Sequence, residues 1–122
     1  MTLQPFARSR RLSGAMRAGA CAIGLEVFAQ RPADGMTAIR VPDAIGAARL
    51  LQRLEERFGL KLAGGQGPLK GKIFRIAHFG LVDELDLLAT LAALELALLE
   101  FGAPVTLGAG VAAASGVLAG EQ

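Results

Sequence analysis

The sequence predicts an α/β fold, a two-layer sandwich in which a small, mostly antiparallel sheet carries helices on one face. Two strand-like segments are separated by a helix-period segment, a short strand leads into the second of them through a glycine loop, and further helix-period segments come after. With 122 residues the chain is expected to form a single domain, residues 1–122, large enough to bury about two thirds of the surface exposed by its unfolded form.

A leading helix is expected over residues 6–28. Met16, Ala20, Ile23, Gly24 and Val27 recur at helical spacing, with arginines on the wet side. Three targeting readings compete with it: a twin-arginine motif at Ser9-Arg10-Arg11-Leu12, an Arg-rich, acid-free transit peptide running to Leu25, and a lipid-attachment site at Ala18-Gly19-Ala20-Cys21. Arg17 interrupts the apolar segment that export requires, so the helix is preferred. A turn is expected at Arg31-Pro32-Ala33-Asp34-Gly35, then an alternating strand from Met36 to Val41. Asp43 is expected to cap a helix whose buried face carries Ala44, Ala47, Ala48, Leu51, Leu54 and Phe58, and Gly59 to end it. Arg49, Arg53 and Glu56 then form its solvated face. Leu60 to Ala63 reads as a short strand entering the loop Gly64-Gly65-Gln66-Gly67-Pro68, which by itself reads as a flexible turn. The next strand runs from Lys72 to His78 and stops at Gly80. Asp83 and Asp86 place negative charge where a helix dipole favours it, and that helix runs to Phe101 before Gly102 and Pro104. Gly108 to Gly120, rich in Ala and Gly, is expected to be a small-residue helix packed closely on a neighbour.

Composition excludes several classes. Hydrophobic residues make up 52% and charged residues 20%, too apolar for a disordered chain. The longest apolar stretch, Leu87 to Leu99, is broken by Thr90 and Glu95 and falls short of the roughly 20 residues needed to cross a bilayer. No membrane association is expected. Cys21, the only cysteine, excludes an internal disulfide or a thiolate cluster, fits a reducing cytoplasm, and is expected to be buried and inert. Residues 1–40 hold six arginines against Glu26 and Asp34, a basic bias that the remainder partly cancels. Without Tyr or Trp, and with scattered Phe, a base-stacking platform is lacking, so nucleic acid is not an expected partner.

The chemistry-bearing motifs are few. A P-loop needs glycine five positions before Gly71 and a hydroxyl after Lys72, but Gln66 and Ile73 stand there. The dinucleotide fingerprint fails at Lys70, where its third glycine belongs. His78, the sole histidine, has no metal-ligand partners at suitable spacing, and no nucleophile–base pair is found. Neither a metal site nor a catalytic residue is expected. Arg75 stands apart: Ile73, Arg75 and Ala77 share one strand face and Lys72, Phe74, Ile76 and His78 the other, so a permanent cation lies within a largely apolar strand. It requires an anion. Its planar guanidinium matches a carboxylate in bidentate fashion, and that carboxylate belongs either to a ligand or to one of the chain's own acidic residues.

Taken together, G-L-E-V-F-A at residues 24–29, the R-P and T-A-I-R-V-P after it, and A-G-G-Q-G-P-L-K-G-K-I-F-R-I-A-H-F-G at residues 63–80 resemble a known family. The chain is similar, from about Ala15 to its end, to the C-terminal small domain of class V pyridoxal-phosphate aminotransferases, the alanine–glyoxylate, serine–glyoxylate and serine–pyruvate transaminase group. Some members of that group carry the older label of soluble hydrogenase small subunit. Ala77 replaces a usual glycine and Phe79 a common methionine. The resemblance implies the small-domain fold of a fold-type I enzyme, with the leading helix connecting to a large domain absent from this sequence. It implies that Arg75 binds the α-carboxylate of an amino or 2-keto acid substrate, and that Gly64, Gly65, Gln66 and Gly67 shape the mouth of the site. It implies transamination with pyridoxal 5'-phosphate in a complete, homodimeric, cytoplasmic enzyme, the cofactor acting as electron sink. The Schiff-base lysine belongs to the large domain, and none of Lys61, Lys70 and Lys72 maps to it. The isolated chain is therefore expected to hold no cofactor covalently and to be inactive, as a fragment, a truncated frame or half of a split protein. Its sheet face bearing Ile73 and Ala77 is then expected to expose an apolar patch. The alternative is a standalone carboxylate-binding or regulatory module derived from an aminotransferase.

Overall fold

A computed structural model of the chain describes residues 5–31, 36–77 and 84–120. The expectations placed on residues 32–35, His78, Gly80 and Asp83 lie outside them. The first helix, α1, spans Pro5–Ala22 and not residues 6–28. Gly24 ends it with φ of +85°, in the left-handed region that favours glycine. The Gly24 amide donates to the Cys21 carbonyl at 3.1 Å and the Leu25 amide to the Ala20 carbonyl at 2.9 Å, closing the helix in a Schellman arrangement. Beyond this cap the chain enters a strand, β1 (Glu26–Arg31), paired antiparallel with β2 (Met36–Arg40). A bulge between Val27 and Ala29 disturbs the twofold alternation of β1. That irregularity explains why the segment reads as helix in sequence.

The sheet is completed by β3 (Ala63–Gly64) and β4 (Ile73–Ala77), in the order β1-β2-β4-β3, with every neighbour antiparallel. Ile39 stands between Val27 and Phe74, and Thr37 opposite Ile76, so these residues share the face that packs on the helices. Ala38, Ile73 and Arg75 point to the other face. The result is the expected α/β arrangement of an antiparallel sheet with helices.

The second helix, α2, spans Ala47–Phe58. Asp43 does not cap it. The Pro42 carbonyl accepts the amides of Ile45 and Gly46, forming a turn that hands the N-cap position to Gly46, where no side chain caps the helix. Its buried residues are Ala47, Leu50 and Leu54, while Ala44, Ala48 and Phe58 are exposed. Gly59 ends it in the left-handed conformation, as its type and position predict.

Helix α3 (Glu84–Glu100) turns Leu87, Leu91, Leu94 and Leu98 into the core. Glu95, only 3% exposed, breaks that run because it serves the last helix, α4 (Ala109–Gly120). Its carboxylate accepts the Gly108 amide at 2.5 Å and the Val111 amide at 3.0 Å, satisfying donors that the start of a helix leaves open. The small-residue helix does pack closely. A Cβ on Gly110 would lie 3.1 Å from the Gly19 carbonyl oxygen, and one on Gly19 would lie 3.0 Å from that of Gly110, so α1 and α4 meet backbone to backbone. Arg11 fastens the other end of this helix pair, donating to the Leu118 carbonyl at 3.2 Å and pairing with Glu84 at 2.9 Å. Among the described residues no helix is long and apolar enough to cross a membrane.

Candidate functional site

Arg75 occupies the middle of β4, opposite Ala38 on β2 and Ala63 on β3. Two alanines leave room for a long side chain to lie along the sheet. The guanidinium is half-buried, and its Nε donates to the Gly64 carbonyl at 3.0 Å. Arg75 takes part in none of the ion pairs Arg11–Glu84, Arg53–Glu56, Arg53–Glu100 and Arg57–Glu100. Between the two carboxylate sources open in the sequence, no described acidic residue is the internal one. Fixing Nε on a carbonyl orients the planar group and leaves the Nη1/Nη2 edge for an anion.

The glycine loop is not a flexible turn. The Gly65 amide donates to the Ile73 carbonyl at 3.2 Å, Gly67–Leu69 forms a 3-10 turn, and the Lys72 amide donates to the Leu69 carbonyl at 3.0 Å. Gly67 has φ of +58°, and a Cβ on Gly65 would strike the Leu69 carbonyl and approach Ile73 Cγ1 to 2.8 Å. The loop thus folds back onto β4, and its far end is held by the Ala47 amide on the Gly71 carbonyl at 3.0 Å. Gln66 is exposed. This packing buries Ile73 to 3% exposure, so the apolar patch expected there is covered by the chain's own loop; Ala77 is described in backbone only. Gly64 and Gly65 are brought against Arg75 and its strand, whereas Gln66 and Gly67 form the outer part of the turn.

Beside Arg75 lies a cavity of about 720 Å³ that sequence reasoning missed, between the segment Phe58–Ala63 and one side of α3. Lys61, Arg75 and Asp86 are its charged lining. The three lysines, Lys61, Lys70 and Lys72, are all exposed. No enclosed amine is offered to a carbonyl-bearing cofactor, so the residues present do not by themselves fit pyridoxal phosphate. Among the described residues no group of three His, Cys, Asp or Glu could hold a metal. Cys21 is exposed rather than buried, because Ala20, its predecessor on the helix, takes the core-facing position.

No family model matches the chain. Individual proteins do. The soluble hydrogenase small subunit of a Synechococcus species is 44% identical over 116 residues, covering 93% of this chain and 30% of the relative. The serine–glyoxylate aminotransferase of Methylorubrum extorquens is 39% identical over 116 residues, covering 93% of this chain and 29% of the relative. The crystal structure of pyridoxamine–pyruvate aminotransferase from Mesorhizobium loti superposes with a TM-score of 0.85 at 34% identity, covering 95% of this chain and 31% of that one. The chain thus spans about 30% of the length of the proteins it matches. In sequence and in fold, it belongs with the class V aminotransferases and corresponds to a segment of them.

Proposed function

We propose that this chain supplies substrate α-carboxylate recognition in a transaminase of the alanine or serine to glyoxylate or pyruvate type. The observation that carries the reading is Arg75: a half-buried guanidinium in mid-strand, oriented by the Gly64 carbonyl and joined to no described acidic residue. Family resemblance, residue type and strand position agree on it. With Nε engaged, the carboxylate is received end-on by Nη1 and Nη2, which fixes the acid's rotation about the axis of the guanidinium. Gly65, where a Cβ would strike the Leu69 carbonyl, lets the loop fold back closely enough behind Gly64 to set that orientation. Pyridoxal phosphate, when bound in the complete enzyme, supplies the electron sink at the α-carbon. The chain's own residues bind and orient the acid; the cofactor's lysine and its phosphate contacts come from the part of the family's fold that this chain does not cover. A homodimer is the assembly proposed for that complete enzyme.

The test is a chimera in which this chain replaces the matching segment of the Methylorubrum serine–glyoxylate aminotransferase. Transamination is expected in the chimera. Arg75→Ala is expected to weaken amino acid binding by about 2–5 kcal/mol, the usual cost of breaking a buried charge pair. An unchanged KM for both substrates would reject the role given to Arg75.

A further inference from the structure

The Gly64 carbonyl that orients Arg75 belongs to a strand with little to hold it. β3 is two residues long, stands at the edge of the sheet and pairs only with β4. Strands are usually longer than this, so the position of β3 is set by what packs on it.

One face of α2 supplies that support. Gly64 pairs with the fully buried Phe74 and so faces the helices, whereas Arg75, paired with Ala63, stands on the opposite face of the sheet. On the helix side Leu51 reaches the bare backbone: a Cβ on Gly64 would lie 3.5 Å from Leu51 Cδ1, an ordinary van der Waals contact. One turn earlier on the same helix, the Ala47 amide donates to the Gly71 carbonyl at 3.0 Å. Residues 47 and 51, spaced as neighbours on a helix surface, therefore meet both ends of the glycine loop from a single face. The Gly64 peptide is gripped from two sides, by Leu51 beneath the sheet and by Arg75 Nε, at 3.0 Å, above it.

We infer that Leu51 is a positioning residue for carboxylate recognition: it holds the Gly64 peptide, which in turn fixes the guanidinium of Arg75. The inference rests on the reading of Arg75 as the α-carboxylate receiver and adds a residue of α2 that touches no substrate. Leu51 is half-buried, at the margin of the core, while its neighbours Leu50 and Leu54 are fully buried. Shortening it leaves those core contacts of α2 in place.

The test uses the full chain, isotopically labelled, with pyruvate as the probe and the side-chain Nε–H signals of the arginines as readout. In Leu51→Ala the Arg75 Nε–H is expected to exchange with water about three- to tenfold faster, the equivalent of one hydrogen bond loosened, and pyruvate to bind correspondingly more weakly. The Nε–H of Arg53, on the same helix and donating to Glu100 at 2.8 Å, should keep its rate, which a general loosening of α2 would not allow. Leu51→Met, which conserves volume, is expected to retain both the exchange rate and the affinity of the unaltered chain. Leu51→Val, a milder truncation, should show the changes of Leu51→Ala in smaller measure. An Arg75 rate unchanged in both truncations, or one that rises only together with that of Arg53, overturns the proposal. So does faster exchange with pyruvate affinity unaltered. Arg75→Gln tests the underlying reading separately: undiminished pyruvate binding in that variant, or no pyruvate-induced shift of the Arg75 signal in the unaltered chain, rejects Arg75 as the carboxylate receiver even where Leu51 steadies its Nε–H.

Discussion

A guanidinium whose Nε is committed to a backbone carbonyl has only its Nη edge left for a ligand. At Arg75 this makes orientation a property of the backbone at Gly64, and so of the glycine next to it, Gly65. A methyl group at residue 65 would meet the Leu69 carbonyl, which belongs to a hydrogen-bonded turn and has little room to retreat. Gly65→Ala is therefore expected to destabilise the chain by about 1–3 kcal/mol, the range for overpacking a well-packed site, as read by urea unfolding. It should also weaken carboxylate binding, through displacement of the Gly64 oxygen. Glu95 poses the complementary case of a buried charge with a structural task. Glu95→Ala removes the acceptor of the Gly108 and Val111 amides and is expected to cost about 1.5–3 kcal/mol, as for hydrogen bonds to a charged group. Hydrogen exchange should then show the loss of protection concentrated in α4, and uniform loss over the sheet would contradict the capping role.

At the scale of elements, α2 and α3 are fastened by Glu100, which accepts from Arg53 at 2.8 Å and from Arg57. The hydrogen bond from Arg53, reinforced by that from Arg57, holds the Glu100 carboxyl below its ordinary value of 4.5. A depressed folded value means the unfolded chain binds more protons as pH falls past 4.5, so this contribution is present at higher pH and is lost as pH drops through the folded value. Glu100→Gln is expected to flatten the acid side of the stability profile below about pH 4.5, measured as the urea midpoint against pH. The pair is solvent-facing, so the change should be small and reduced further by salt. Sequence pattern made much of this level legible. Gly59 and Gly102 announce helix ends because both stand at positive φ, and the alternation of Met36–Arg40 reports a strand with one covered face. The element that escaped was β1. Its bulge at Phe28 spoils the period of two, and Ile23 and Val27 happen to continue the helical spacing of α1 across the break at Gly24. Asp43 misled for a related reason: a good capping residue one turn too early is overruled when Pro42 starts a tight turn of its own.

At the scale of the whole molecule, residue identity and residue position were legible to different degrees. Arg75 was visible because a charge in an apolar strand has to be explained; the adjoining cavity was not, because it arises where alanines of α3 face a segment nearly thirty residues earlier in the chain. Spacing along one helix cannot report what stands opposite. The same reasoning bears on what the chain can do unaided. A carbonyl-bearing cofactor needs an amine kept from water and anion contacts for its phosphate, and Lys61, Lys70 and Lys72 all stand in solvent. A lysine becomes an effective nucleophile for such chemistry where burial or a neighbouring cation activates it. The purified chain mixed with alanine, glyoxylate and stoichiometric pyridoxal phosphate is therefore expected to give no transamination above the cofactor alone, with the visible band of the cofactor unshifted. Turnover by the unaided chain would require one of those three lysines to be enclosed on binding, and the Lys→Ala variant that abolished it would identify which. In the chimera with the Methylorubrum enzyme, by contrast, turnover should appear and survive each of the three substitutions, because the amine would come from the other part of the fold.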